Sequence, residues 1–128
     1  MTISAPDGPK DRGRTADLLR TRFSVEAERE GDAAVVRLHG ELDLATAPRL
    51  RRALGALLDT RPSALVVDLS DLTFVDTSGV RVVRAACIQA GLEGCSFTLR
   101  WPTRAVRKML SLTGVDRLLD IEDRPSVA

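Results

Sequence analysis

The chain has 128 residues, 44% hydrophobic and 29% charged, with 19 basic against 18 acidic side chains. That length suits a single domain with its own core, and the near-neutral, interspersed charge argues against a general nucleic-acid or anionic-membrane binder. One histidine, two cysteines, three phenylalanines, one tryptophan and no tyrosine fall short of a zinc site, a secreted disulfide framework or a stacking platform for single strands.

The N-terminal stretch MTISAPDGPKDRGR has no apolar segment of the kind a secretory signal needs, and no apolar run approaches a membrane span. The expected compartment is the cytoplasm. Residues 1–20 carry Pro6, Gly8, Pro9 and Gly13 among charges, with Leu18 and Leu19 as the one apolar pair. They are expected to form a mobile tail with a helical turn near Ala16–Leu19, and residues 21–128 the domain. From Arg22 the pattern alternates: Phe23, Val25 and Ala27 against Ser24, Glu26 and Glu28, a half-exposed strand at the sheet edge. Gly31-Asp32 supplies a turn into a second strand over Val35–His39, making an antiparallel hairpin.

Thr46 is placed to cap a first helix with Pro48 in its first turn. Leu50, Leu54, Leu57 and Leu58 recur at helical spacing, Arg49, Arg51 and Arg52 take the wet side, and Arg61-Pro62 ends the helix. Ala64–Leu69 is almost continuously apolar. It predicts a central strand covered on both faces, with Val66 and Val67 inaccessible. Asp76-Thr77-Ser78-Gly79 marks the handover to a second helix that runs to about Ala90 and closes at Gly91 and Gly94. On it Ser78, Arg81 and Arg84 share one narrow wet stripe, with Ile88 on its continuation. Ser96–Arg100 is a fourth strand stopped by Trp101-Pro102. Thr103 caps a third helix whose apolar stripe is Val106, Met109, Leu110 and Leu112 and whose stop is Gly114; Leu118–Ile121 is a last short strand. The order β-β-α-β-α-β-α-β with short linkers demands parallel, right-handed crossovers.

Three segments, in order and at matching spacing, resemble the STAS domain of bacterial anti-sigma-factor antagonists. Leu38-His39-Gly40-Glu41-Leu42-Asp43 is similar to the Gly-Glu-Leu-Asp signature that ends the second strand. Phe74-Val75-Asp76-Thr77-Ser78-Gly79-Val80 is similar to the phosphoacceptor motif Asp-Ser-Ser-Gly-Leu. Val106-Arg107-Lys108-Met109-Leu110 with Thr113-Gly114-Val115 is similar to the third-helix pattern. The likeness covers about residues 22–121. It departs at Thr77, where the family has serine, at Val80, where leucine is more usual, and at Ala128, which leaves little for the C-terminal helix of many relatives. The resemblance implies an α/β STAS fold: one mixed, mostly parallel sheet of about five strands with an N-terminal antiparallel hairpin and three to four helices.

It also implies a regulatory binding module in the cytoplasm rather than an enzyme. Unphosphorylated, such a protein binds an anti-sigma serine kinase of the GHKL ATPase type and frees a sigma factor for the stress response. Phosphorylation at Ser78, with Thr77 the second choice, breaks the complex, and a serine phosphatase restores it. Asp43, Asp76, Thr77, Ser78, Gly79 and Arg81 are the expected partner-binding residues, with no metal, cofactor, nucleic acid or membrane insertion. The alternative is a soluble STAS subunit of an ABC-type membrane transporter. Chemically, a hydroxyl at a helix N-terminus is exposed, and a phosphate there meets unpaired N–H groups and the positive end of the dipole. Capping alone also accounts for Asp76, Thr77 and Ser78, and Asp43 has both capping and partner binding open to it. Gly79 is expected to admit a partner's backbone. Arg81, three residues on, lies within reach of a phosphate on Ser78, as it does of bulk water. His39 reads as a partly exposed sheet histidine, since no Gly-x-Ser-x-Gly elbow accompanies it. Cys87 reads as core, and Cys95, after a turn, as the more reactive thiol.

Overall fold

The computed structural model describes residues 2–4 and 23–125. Among them six strands form one sheet in chain order: β1 (Thr2–Ser4), β2 (Phe23–Glu30), β3 (Ala33–Leu42), β4 (Ala64–Val75), β5 (Ser96–Arg100) and β6 (Asp120–Glu122). The β1–β2 and β2–β3 pairings are antiparallel, and β3 to β6 are parallel. The crossovers are α1 (Ala47–Asp59), α2 (Thr77–Leu92) and α3 (Arg104–Leu112), the last followed by a 3₁₀ turn over Val115–Arg117. The mixed α/β sheet with its N-terminal hairpin is the architecture that the hydropathy pattern and the family resemblance both predict.

Strands laid down in one direction by right-handed crossovers place every helix on the same face of the sheet. Register confirms it. Val25 pairs with Leu38, Val36 with Val67 and Val67 with Leu99, and all of these are buried in one cluster with the apolar sides of the three helices. The opposite face carries Glu26 beside Arg37 and Arg37 beside Asp68. Thus β4 is central but covered on one face only. Val67 is fully buried, whereas Val66 is part-exposed, against the expectation for both. A continuous apolar run cannot by itself separate two-sided from one-sided cover, because Val66 belongs to a small apolar strip with Val35 on an otherwise charged surface.

Other departures have equally local causes. The Phe23 strand is not the edge, because Thr2–Ser4 pairs with it, Thr2 opposite Glu28 and Ser4 opposite Glu26. The remainder of the expected tail, including Leu18, Leu19 and the helical turn near Ala16–Leu19, lies outside the described residues. β4 runs for 12 residues, through Val75. It keeps pairing with β3 across two register shifts, one of them at Gly40, whose φ of 94° only glycine adopts without strain. In α3, Val106 and Leu110 are buried and Met109 packs at the margin, but Leu112 is 71% exposed. Beyond β5, Trp101 takes a positive φ, donates its backbone N–H to the Glu122 carbonyl at 2.7 Å, and has the guanidinium groups of Arg100 and Arg124 each 5.2 Å from its ring centroid.

Asp68 is the buried acid of the bare face, 1% exposed. Burial alone raises its pKa. The Ser70 hydroxyl at 2.7 Å, the Ser70 N–H at 2.9 Å and Arg37 Nε at 3.3 Å outweigh that and hold the carboxyl below its ordinary value. A carboxylate with a depressed folded pKa contributes stability that is complete above about pH 4 and is lost as pH falls through the folded value. Asp68→Asn is therefore expected to lower stability at neutral pH and to flatten its acid dependence below about pH 4, read from urea unfolding at several pH values. In the same assay Val67→Ala is expected to cost about 2 kcal/mol and Val66→Ala less than about 1 kcal/mol.

Candidate functional site

The loops that follow β3 and β4 meet at one end of the sheet. The Asp76 N–H donates to the Leu42 carbonyl at 3.1 Å, joining the two strand ends just before each chain turns into its helix. On the β4 side Asp76 caps α2 in extended backbone. Its Oδ1 accepts from the N–H groups of Ser78 at 2.8 Å and Gly79 at 3.2 Å. Thr77 is exposed and Ser78 half-exposed. On the β3 side the Asp43 carboxylate accepts from the N–H groups of Ala45 and Thr46, both at 3.0 Å.

The cap of α1 therefore differs from expectation. Thr46 occupies the N-cap position without a side-chain cap bond. Its buried hydroxyl accepts from the Asp43 N–H at 2.8 Å and sits 3.1 Å from the Glu41 carbonyl, which pins the loop. The Asp43 carboxylate closes the turn ahead of α1 through the Ala45 and Thr46 N–H groups, and the Asp43 backbone carbonyl takes the Ala47 N–H at 2.8 Å. This loop and the end of β4 also expose two apolar side chains, Leu44 at 75% and Phe74 at 46%, which periodicity did not mark out. The available signal was Leu44 itself, an isolated leucine in a turn that no helix or strand claims.

Residues 25–120 match the sequence model described as "Mlab, STAS domain". The anti-sigma-F factor antagonist RsfB of Mycobacterium tuberculosis (strain ATCC 25618 / H37Rv) is 32% identical over 95 residues, 74% of this chain and 77% of that protein. The crystal structure of an anti-sigma factor antagonist from Mycobacterium paratuberculosis superposes with a TM-score of 0.70 at 30% identity, covering 98% of this chain and 92% of that one. The phosphorylated form of the Bacillus cell fate determinant SpoIIAA shares the fold, with a TM-score of 0.61 at 23% identity over 80% of this chain and 92% of its own. The chain belongs to the STAS-domain family of anti-sigma factor antagonists.

Within this STAS domain Gly79 has a different task from the one expected of it. It is buried, and a Cβ built there would lie 2.6 Å from Leu42 Cγ and 2.8 Å from Val75 Cγ2. The close approach it permits is to the domain's own core, not to a partner. The N–H groups expected to be open for a phosphate are in part already committed, since Asp76 takes those of Ser78 and Gly79. The exposed face of α2 is also wider than a Ser78–Arg81–Arg84 stripe. Thr77, Arg81, Arg84, Ala85, Ile88 and Leu92 are all exposed.

The remaining candidates settle into structural roles. His39 is half-buried on the bare sheet face, 3.3 Å from both Glu26 Oε1 and Asp71 Oδ2. Cys95 is the buried thiol and Cys87 the half-buried one, the reverse of the expected order. Burial, followed by the charge of Glu93 at Cys95 and of Asp120 at Cys87, pushes both thiols up and away from the reactive thiolate. Among the described residues no group of three His, Cys, Asp or Glu side chains could hold a metal ion, and no helix is long and apolar enough to cross a membrane. Gly79→Ala is expected to cost about 1–3 kcal/mol by overpacking. Combining it with Leu42→Ala is expected to cost clearly less than the two added, a coupling read by a double-mutant cycle of unfolding free energies.

Proposed function

We propose that this protein is a cytoplasmic partner-switching antagonist whose switch is Ser78. Unphosphorylated, it binds an anti-sigma serine kinase of the GHKL ATPase type and so frees a sigma factor. That kinase moves the γ-phosphoryl group of ATP to Ser78 Oγ, with loss of the hydroxyl proton and release of ADP, and the complex separates. A serine phosphatase hydrolyses the phosphate and restores binding. Catalysis rests with the partners.

The observation that carries this reading is the setting of Ser78. It is half-exposed at the second position of α2, and its hydroxyl makes no hydrogen bond among the described residues. The surrounding backbone is fixed by the Asp76 cap and by Gly79 seated on Leu42. Modification of such a group needs no unfolding. Asp76 and Gly79 act by holding the turn, Asp43 by ordering the neighbouring loop that displays Leu44, and Thr77, Ser78 and Arg81 by lining the contact surface. Phosphate adds about −1.5 to −2 charges, and an unpaired charge desolvated in an interface costs several kcal/mol.

Incubation with its cognate anti-sigma kinase and ATP is expected to place one phosphate on Ser78, located by mass spectrometry, and Thr77→Val is expected to leave that stoichiometry unchanged. Ser78→Ala is expected to fold, bind and resist release. Ser78→Asp is expected to fold and bind at least about a hundredfold more weakly, equivalent to about 2.7 kcal/mol. Phosphate on another residue, wild-type binding by Ser78→Asp, or recovery of the protein in an ABC-type membrane complex in place of the kinase, would overturn the reading.

A further inference from the structure

The near-zero net charge conceals a segregation. The three helices carry eight arginine and lysine residues and a single acid, Asp59. Strands β2 to β6 carry eight acids against three arginines. Because the helices share one face of the sheet, the domain has a cationic helical side. Helix α2 contributes Arg81 and Arg84 to that side. No Asp or Glu occurs from Thr77 to Leu92, and the exposed Arg81 and Arg84 have no acidic partner among the described residues. The first acid beyond the helix, Glu93, receives Gln89 Nε2 at 3.2 Å. The same exposed stripe continues through Ala85 to Ile88 and Leu92, which are 52% and 84% exposed. At 1.5 Å per residue the stripe extends about 21 Å from Ser78.

We infer that this stripe of α2 recognises a carboxylate-bearing, partly apolar face of the anti-sigma kinase, and that Arg81 is exchanged between that face and the phosphate on Ser78. The inference rests on the partner-switching reading above and adds the surface and its chemistry. Unpaired arginines with no acid on their own helix complement carboxylates, and such pairs strengthen as an interface excludes water. Ile88 and Leu92 give the other half of the stripe an apolar patch of the kind that becomes the dry part of a contact. A nucleic-acid backbone would leave that half unused, and a bilayer interface favours aromatic anchors, of which α2 has none.

The exchange follows from spacing. Arg81 stands three residues after Ser78, so their Cβ atoms are about 5–6 Å apart on one helix face. Asp76 already occupies the Ser78 and Gly79 N–H groups and adds its own negative charge. Arg81 is therefore the cation of α2 closest along the helix to a phosphate on Ser78. Phosphorylation then acts twice in the same direction, withdrawing Arg81 from the partner and setting an anion before the partner's carboxylates.

The test uses the full chain and the kinase that phosphorylates Ser78, with affinities measured at low and high salt. Arg81→Gln and Arg84→Gln are each expected to weaken binding about threefold to tenfold, and together to flatten its salt dependence. Ile88→Ser with Leu92→Ser is expected to weaken it about tenfold with the salt dependence retained. In the isolated phosphorylated protein, the phosphorus-31 titration of phosphoserine 78 is expected to move to higher pH in Arg81→Gln. All four side chains are exposed, so unfolding midpoints serve as the folding control. If the double arginine variant keeps the affinity and salt dependence of the wild type while Ser78→Asp loses binding, the inference falls and the switch stands. If the kinase neither binds nor phosphorylates Ser78, both fall. Binding of the wild type to phosphatidylglycerol vesicles or to duplex DNA that the arginine variants lose would also overturn the protein-face assignment.

Discussion

Leu42 leaves room for nothing larger than a hydrogen atom at residue 79, and the geometry of the site follows from that contact. Because residue 79 is glycine, the first turn of α2 seats directly on the end of β3. The Asp76 N–H then reaches the Leu42 carbonyl, and the Asp76 carboxylate is left facing the helix it caps. Ser78 inherits its position from these three constraints. The core residue and the surface hydroxyl are thus one mechanical unit, and the site is rigid because it is an extension of close packing.

A second constraint acts on the whole domain. Strands added in one direction, each by a right-handed crossover, leave one sheet face without helices. The chain accommodates this with charge on the bare side, where Arg37, Asp68 and Ser70 satisfy one another and His39 lies between Glu26 and Asp71. The helical side takes the excess of arginine. Near-neutral composition reads such an arrangement as featureless, because composition averages over faces that only topology separates.

Most of the element order was legible because hydrophobic periodicity and capping residues agree with each other in this chain. Thr103 is an example. Its side chain accepts from the Val106 N–H as a cap does, and its hydroxyl also donates to the Leu72 carbonyl at 2.9 Å, so one residue both starts α3 and ties it to β4. What stayed hidden depended on contacts between distant segments. Val66 and Val67 are adjacent and chemically identical, and register alone separates them. Thr46 stands at the cap position of α1, but its hydroxyl is drawn back to the Asp43 N–H and the Glu41 carbonyl, so it ties the preceding turn and makes no cap bond to the helix. Gly79 was recognisable as important from the motif, while the reason for it lies in Leu42, 37 positions away in the chain. Cys95 follows a turn yet is buried, because its N–H returns to the Ala90 carbonyl and folds the residue under the end of α2.

Trp101 makes this domain its own spectroscopic instrument. It is the single tryptophan in a chain without tyrosine, so the intrinsic emission comes from one indole of known surroundings. Two guanidinium groups flank its ring, one from the end of β5 and one from the segment after β6, and the backbone N–H of the same residue is bonded to the Glu122 carbonyl of β6. Detachment of the last strand changes the polarity and charge around the ring in one step. Substitutions on α2 or at the Asp76 turn touch none of these groups, leaving the fluorescence free to report whether the sheet is closed while a separate label reports what the helix is holding.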